Sequence, residues 1–237
     1  MTSRKTQIEA LITKAKEQFL TIKNTYQSSL DQESVSTELK IEIKNMCENL
    51  RSALDYLARD INETHCPTTS GKRSRKLYFP ITSSREDFKT NMSRSFPGLQ
   101  KASSELWDYL ESIQPYHGKS AIWLSHFNTL NNENKHESLV PQTKSVTEQV
   151  SVETQNGKVV YTRSSPHGRV EFGKGVKIMG VPVDPSTQLP VPHPSQKVQR
   201  IKWVDFQFED IPGSALLLLK ASLNGVEKIT SETRELL

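Results

Sequence analysis

Residues 35–61 read VSTELKIEIKNMCENLRSALDYLARDI, and this stretch decides the fold. Its apolar side chains recur at spacings of four and three, which indicates one apolar stripe on a long amphipathic helix. The stripe consists of Val35, Leu39, Ile43, Met46, Leu50, Leu54, Leu57 and Ile61. The run of proline, serine, threonine and glycine from Pro67 to Gly71 ends the helix. We therefore expect a long helix that buries one face.

The same rhythm occurs before and far after this stretch. A first helix has the apolar positions Ile8, Ile12, Ala15, Phe19, Ile22 and Tyr26. A short connection around Asp31 predicts that it packs against the second helix as an antiparallel hairpin. A last helix follows Pro212-Gly213, with the stripe Leu216, Leu219, Leu223, Val226, Thr230 and Thr233. An amphipathic helix must bury its stripe, so we expect the last helix to pack on the first two.

Shorter helical patterns lie between these elements. Ser83-Ser84-Arg85-Glu86 is a capping box that opens a short helix. Residues 103–114 and 120–136 predict two more helices from their apolar spacing. Pro115 ends the first of these two helices.

The pattern changes to period two from Val146 onward. Alternating runs over 149–154 and 158–163 flank Gln155-Asn156-Gly157, which predicts a hairpin with a type I′ turn at Asn-Gly. Residues 168–183 predict one or two further strands, and the proline-rich residues 184–195 predict a loop, ordered or mobile. A last strand is expected over 197–209, with Val204, Phe206 and Phe208 on one face.

These elements predict an α+β protein. Residues 1–145 form a helical bundle, residues 146–212 a β-rich insertion with a hairpin or small sheet, and residues 213–237 a closing helix that returns to the bundle. We expect one composite domain, because the last helix needs the apolar surface of the first two.

The composition indicates the cellular compartment and the classes of partner that are possible. The net charge of +4 permits contact with nucleic acid without demanding it. Cys47 and Cys66 form no CxxC or zinc pattern, which favours two free thiols in a reducing compartment. No signal peptide is recognisable, and the longest apolar run, residues 215–219, is too short to span a bilayer. We expect a cytoplasmic protein without membrane contact.

Two positions on the second helix carry the leading chemical hypothesis. An arginine, a polar residue and a histidine six positions after the arginine occur as Arg59, Asp60 and His65. In metal-free cleavage of RNA, the imidazole would act as general acid or base while the guanidinium steadies the phosphate charge. The alternative interpretation is that His65 complements the dipole of a helix C-terminus. Arg51, Asp55 and Arg59 share one face, and their plain interpretation is a pair of i,i+4 salt bridges.

Other polar clusters are weaker candidates. His136 ends a polar run, but Asn132 stands one turn before it where a metal site would want a second ligand. Helix capping and hydrogen bonding are the alternative there, and we expect no metal. Phosphate-binding glycine loops and the common hydrolase motifs do not occur in the sequence, so we expect no cofactor. A basic run near Tyr78 suits nucleic acid or a solvated loop. Its members are Lys72, Arg73, Arg75 and Lys76.

Four segments, taken in order, resemble a widespread group of uncharacterised bacterial helical proteins. They are Leu50 to Leu57 (LRSALDYL), Phe79-Pro80-Ile81, Gln114-Pro115-Tyr116 and Leu130 to His136. The helical hairpin with its arginine-to-histidine element also resembles the HEPN superfamily of helical bundles, which are often dimeric. Many members are ribonuclease toxins or phage-defence components, and others are catalytically dead.

This sequence departs from the motifs of that group at three positions. Tyr56 stands where the first motif often has histidine, and Asn134 and Glu137 replace aspartate and arginine around His136. The resemblance implies an RNA-directed bacterial protein of defence or toxin type, with metal-independent endoribonuclease activity through Arg59 and His65. Arg51 and His136 are further catalytic candidates. The rival hypothesis is a non-catalytic interaction module with a protein partner or a homodimer, and a small-molecule binder is a third, without a motif behind it.

Overall fold

The structure, a computed structural model, describes residues 3–29, 35–66, 77–118, 120–136, 142–165, 168–208 and 211–237. They form two compact units, one joining Met1–Pro141 to Phe208–Leu237 and the other being Gln142–Gln207. The first unit is mainly helical and the second consists of strands, so the expected α+β class is confirmed. In the described part of the chain, no helix is both long and apolar enough to cross a membrane.

The helical unit begins with an antiparallel hairpin of α1 (Arg4–Ser29) and α2 (Thr37–His65). Arg4, in the first turn of α1, forms ion pairs with Asp60 and Glu63 near the end of α2. The expected hairpin is therefore confirmed. The connection around Asp31 lies outside the described residues.

The apolar stripe that was expected on α2 is buried from Val35 to Ile61. The stripe on α1 is interrupted, because Phe19 is only half-buried while its neighbour Gln18 is buried. Gln18 accepts a hydrogen bond of 2.8 Å from the side chain of Asn49 on α2. A buried polar group is tolerated where it finds such a partner, so the hairpin contains one polar contact that apolar spacing does not reveal.

The last helix, α7 (Ala215–Glu235), contacts α1, α2 and α6 (Ile122–His136), which confirms that it packs on the first two helices. Ion pairs join Lys16 to Glu227 and Glu9 to Arg234, so α7 runs antiparallel to α1. The apolar side chains that α7 buries include Leu219, Leu223, Val226 and Ile229, whereas Leu216 is half-buried.

Gly225 in the middle of α7 lies directly against the indole of Trp123 on α6. A Cβ added at Gly225 would meet a ring atom of Trp123 at 2.1 Å. Replacing glycine with alanine inside a helix ordinarily stabilises it by about 1 kcal/mol. Here we expect Gly225→Ala to destabilise the protein by about 1–3 kcal/mol instead, because overpacking forces the ring or the helix to move. Urea unfolding measures the change.

Making the same substitution in a Trp123→Ala variant separates this steric effect from helix propensity. In Trp123→Ala the ring is gone, and Gly225→Ala should then stabilise by about 1 kcal/mol. The sign of the effect therefore reverses between the two backgrounds. If Gly225→Ala has the same effect in both, the close packing of Trp123 on α7 is not what requires glycine.

The segment between the long helices contains shorter elements. They are α3 (Arg85–Ser95), α4 (Leu99–Ala102), α5 (Ser104–Ser112) and a 3₁₀ turn (Pro115–His117). The helix cap before α3 lies one residue later than the capping box predicts. The side chain of Ser84, and not of Ser83, accepts the Asp87 N–H at 3.1 Å. The apolar spacing of the sequence does not predict α4.

The second unit contains two sheets. Its strands are β1 (Gln142–Thr154), β2 (Gly157–Ser165), β3 (Gly168–Arg169), β4 (Lys177–Ile178), β5 (Val181–Asp184), β6 (Leu189–Pro190) and β7 (Lys197–Phe208). The larger sheet has the order β3-β2-β1-β7 and the smaller one β4-β5-β6. Val150, Val152, Ile178 and Val183 form their buried core. β1 begins before the expected boundary at residue 146.

The expected hairpin is confirmed, but its expected turn type is wrong. Thr154 pairs with Gly157, so the two turn residues are Gln155 and Asn156. Among the described non-glycine residues, positive φ occurs at Met179 and Gln188, and so not at Asn156. Of the three residues Gln155, Asn156 and Gly157, Gly157 alone has a positive φ, of 139°. A type I′ turn needs positive φ at both turn residues. Glycine is instead the first residue after the turn, where it takes the positive φ.

The proline-rich residues 184–195, expected to be a loop, contain the short strand β6. Pro190 pairs with Val183 at the edge of the smaller sheet, where the missing N–H of proline costs no ladder hydrogen bond. The Gln188 side chain donates to the carbonyl oxygens of Phe172 and Pro185. These contacts order the segment that composition alone leaves undecided.

Candidate nucleic-acid interface

Arg51 and Asp55 form a largely buried ion pair on α2, with Arg51 Nε 3.3 Å from Asp55 Oδ1. Only 12% of the Arg51 side chain and 18% of the Asp55 side chain are exposed. This contact confirms the first of the two salt bridges that the spacing by four predicts. Arg51 also donates to Asn128 on α6, at 3.3 Å. The pair therefore joins two helices of the bundle.

The same pair holds an extended segment of backbone. The N–H of Phe79 donates to Asp55 Oδ1 at 2.9 Å, and the carbonyl oxygen of Phe79 accepts from Arg51 Nη2 at 3.3 Å. Both polar backbone groups of Phe79 are thus paired with one ion pair. The result is a fixed position for the residues next to Phe79, because neither backbone group is left unpaired in the protein interior.

Gln114 fixes the residues that follow. Its buried side chain donates to the carbonyl oxygens of Pro80 and Leu110 and accepts from the N–H of Thr82 at 2.9 Å. Three of the four motifs that carry the family resemblance therefore meet at one place. These motif residues position the extended segment against the helices. Their residue types therefore have a structural explanation.

Tyr78 points outward from this fixed segment. Its side chain is 54% exposed, whereas Leu77 and Phe79 on either side are buried. The Arg51 guanidinium carbon lies 5.9 Å from the centre of the Tyr78 ring, within the range of a cation–π contact. An exposed aromatic ring is therefore held in place from behind by a cation and on both sides by anchored residues.

The predicted phosphate-binding residues Lys72, Arg73, Arg75 and Lys76 lie outside the described residues. In the sequence, Lys76 precedes Tyr78 by two positions, so the basic run is next to the segment that presents the exposed ring.

Arg59 and His65 lie in the last part of α2, and both are half-buried. Six residues of α-helix separate them by about 9 Å along the axis and about 120° around it. The two side chains therefore leave α2 on different faces. The acidic residues between them, Asp60 and Glu63, pair with Arg4 of α1.

His65 has one unexplained feature. Its Nε2 atom is buried and has no hydrogen-bond partner among the described residues. The helix ends immediately after it, where the N–H of Cys66 donates to the carbonyl oxygen of Asn62. The position at the C-terminus also suits the helix dipole, which is the alternative interpretation of this histidine.

The remaining predicted positions give less information. His136 is the last residue of α6, and its side chain lies outside the described part of the structure. Cys47 and Cys66 are free thiols, and burial raises the pKa of Cys47 to about 12. Within the described ranges, no three histidine, cysteine or acidic residues lie close enough to share a metal ion.

The outward position of Tyr78 is a feature that the sequence motifs do not predict. The sequence does contain a signal for it, because an extended segment alternates its side chains between two faces. Leu77 and Phe79 on the buried face place Tyr78 on the other. The contact between Arg51 and Asn128 has no such signal, because it joins residues 77 positions apart.

Comparison with known proteins adds no assignment to this geometry. Neither a family model, nor a curated protein, nor a solved structure matches the chain. The resemblance to HEPN proteins therefore remains an expectation from the quoted sequence motifs.

Proposed function

We propose that this is an RNA-directed protein of bacterial defence or toxin type that binds single-stranded RNA through a Tyr78 surface. That surface consists of the Tyr78 ring, the Arg51 guanidinium that supports it and, by their place in the sequence, the basic residues Lys72, Arg73, Arg75 and Lys76. The observation that carries the proposal is the exposed Tyr78 ring, which Arg51 supports from below at the end of a basic segment.

A fixed, exposed ring suits an unpaired base. Base stacking on an aromatic side chain contributes about 1–3 kcal/mol per base and tolerates any sequence. A ring that is already held in position loses little entropy when a base stacks on it. The hydrogen bonds of Asp55 and Arg51 to Phe79 supply that preorganisation. We therefore assign Tyr78 the role of a stacking platform.

The basic segment supplies the second component of RNA binding. Lysine and arginine side chains that neutralise phosphates release counterions, so affinity falls as the salt concentration rises. Lys72, Arg73, Arg75 and Lys76 precede Tyr78 in the sequence and would neutralise phosphates of the bound RNA. We expect a binding mode without sequence preference at this surface.

Cleavage through Arg59 and His65 is the finer part of the proposal. His65 would take or give the proton, Arg59 would stabilise the phosphate, and the RNA 2′-hydroxyl would be the nucleophile. The two side chains leave α2 about 120° apart. A homodimer that brings Arg59 of one chain to His65 of the other would satisfy this geometry.

One observation favours the rival function, a non-catalytic interaction module. The Nε2 atom of His65 is buried, and a general acid or base must come within hydrogen-bond reach of the proton that it transfers. An RNA-binding or protein-binding module needs no such access. Binding through the Tyr78 surface and cleavage through His65 are therefore tested separately.

Replacing Tyr78 with alanine should weaken the binding of single-stranded RNA about 5- to 150-fold, which corresponds to the stacking energy of one base. Tyr78→Phe keeps the stacking face and should stay within about threefold of wild type. Fluorescence anisotropy with a labelled oligoribonucleotide at fixed salt measures both. Arg94→Ala, which removes an exposed charge from α3, serves as the control for general electrostatics.

Equal affinities of wild type, Tyr78→Ala and Arg94→Ala would refute the Tyr78 surface as the RNA contact. Absence of measurable RNA binding by the wild type at low salt would do the same, and would leave the interaction module as the better hypothesis.

A further inference from the structure

A cavity of about 340 Å³ lies between α5, α6 and α7, and neither Tyr78 nor Arg51 is among its lining residues. Small-molecule sites occupy about 300–1,000 Å³ and combine apolar walls with a few polar groups. The walls of this cavity include two aromatic rings, Tyr109 and Trp123, and its charged groups are Lys228 and Glu232. It therefore has both the size and the composition of a site for a flat organic molecule.

The position of one aromatic wall is fixed by α7. Trp123 packs so closely on Gly225 that no side chain fits between them. Glycine within a helix costs about 1 kcal/mol relative to alanine, so its presence here has a structural cause. That cause is the placement of the indole against the helix, where the ring borders the cavity.

A polar group lies on the wall that α5 contributes. The Tyr109 side chain lines the cavity, and its hydroxyl is buried. Burial raises the pKa of Tyr109, and the Glu232 carboxylate beside the hydroxyl raises it further, so the phenol remains a donor at neutral pH.

The charges of the cavity select among flat ligands. Lys228 lies 3.6 Å from Glu232, and both side chains reach solvent, with 71% and 41% exposed. The pair is neutral overall, so it offers no advantage to a permanently charged guanidinium or ammonium ligand. It favours a neutral ring that carries N–H donors for Glu232 and an anionic group for Lys228.

We infer that this cavity binds the base of a guanine nucleotide, stacked on Trp123 with its polar edge towards Glu232. Guanine carries two adjacent N–H donors, on N1 and on the 2-amino group, and a carboxylate offers two acceptor oxygens to match them. Adenine lacks this pair of donors. Lys228 at the exposed rim would donate to the 5′-phosphate as a point charge. The inference is independent of the Tyr78 surface.

Isothermal titration of the full chain with guanosine 5′-monophosphate tests the inference. We expect saturable binding with a Kd below about 1 mM, and adenosine 5′-monophosphate at least about tenfold weaker. Glu232→Gln should weaken guanine binding at least about tenfold, because a charged hydrogen bond is lost. The matched control is Glu235→Gln, an exposed carboxylate one turn further along α7, which should bind as wild type does.

Two further experiments identify the source of the guanine and control for loss of folding. Guanine- and adenine-containing single-stranded RNAs are compared in the Tyr78→Ala background. Discrimination that Glu232→Gln abolishes would place the guanine in RNA, and binding of the mononucleotide alone would indicate a free nucleotide. Trp123→Ala, checked for folding by a thermal melt, should also lose binding.

Three results would overturn the inference. They are no saturable guanine binding in either form, equal binding of guanine and adenine, and guanine binding unchanged in Glu232→Gln. Binding of methylguanidinium in place of the nucleotide would also overturn it, since the site would then select a cation.

Discussion

Replacing Asp55 with alanine is expected to lower the free energy of unfolding by about 3 kcal/mol. The change leaves the mostly buried Arg51 guanidinium without its carboxylate and leaves the Phe79 N–H without an acceptor. Removing one partner of a buried pair costs about 3–5 kcal/mol, and the remaining exposure of the pair places the effect near the lower end. Urea unfolding monitored by circular dichroism measures the loss.

The same helix offers a matched control. Lys44 and Glu48 have the same i,i+4 spacing on α2, but their side chains are 30% and 37% exposed. Glu48→Ala should cost less than about 0.5 kcal/mol, as is usual for exposed helical pairs. If Asp55→Ala and Glu48→Ala lose the same amount, Asp55 does not hold the extended segment in the way that the geometry indicates.

Removing Arg59 or His65 is expected to lower the rate of RNA cleavage about a hundredfold or more without unfolding the chain, if the protein cleaves RNA by the proposed chemistry. General acid–base catalysis contributes about 10²–10⁴-fold, and loss of a phosphate-stabilising cation has a comparable effect. Cleavage of single-stranded RNA by purified wild type, Arg59→Ala and His65→Ala is compared in the presence of EDTA.

Two variants control this experiment. His117 is exposed in the 3₁₀ turn and Arg94 is exposed in α3, so His117→Ala and Arg94→Ala should cleave as wild type does. Equal residual cleavage in all variants would indicate a contaminating nuclease. That result would refute the proposed chemistry and leave RNA binding without cleavage. An absolute requirement for added metal would also refute it, because the cleavage would then be metal-dependent.

Periodicity alone predicts the three long helices of the bundle. Burial of one helix face imposes the spacing of apolar residues, so α2 and its partners α1 and α7 follow from their stripes. The contact between Gln18 and Asn49 does not follow, because two polar residues on separate helices leave no periodic signal. The helical framework is therefore predictable, and its polar contacts are not.

Turn and cap residues predict that a hairpin or a helix is present better than they predict the residue at which it begins. Asn156-Gly157 correctly predicts a hairpin, yet the turn residues are Gln155 and Asn156. Ser84 caps α3 although the capping box begins at Ser83. At the start of α3 two adjacent serines are chemically able to cap the helix, and the sequence alone does not select one of them.

The candidate site shows the same limit. The spacing of Arg51 and Asp55 predicts their ion pair, but the hydrogen bonds to Phe79 join residues 28 and 24 positions apart. Only the fold brings these groups together. Gly225 within a helical pattern indicates a close contact of some kind, and the identity of Trp123 as that contact comes from the structure.

The central claim, that RNA contacts the protein at Tyr78, is tested most directly by photocrosslinking. A single-stranded RNA that contains 4-thiouridine is irradiated with the full protein, and the crosslinked peptides are identified by mass spectrometry after trypsin digestion. Cleavage after Lys76 and Arg85 yields the peptide LYFPITSSR, residues 77–85. We predict that this peptide carries the main crosslink and that Tyr78→Ala abolishes it. Crosslinks confined to residues 142–207, or no crosslink at all, would contradict the claim.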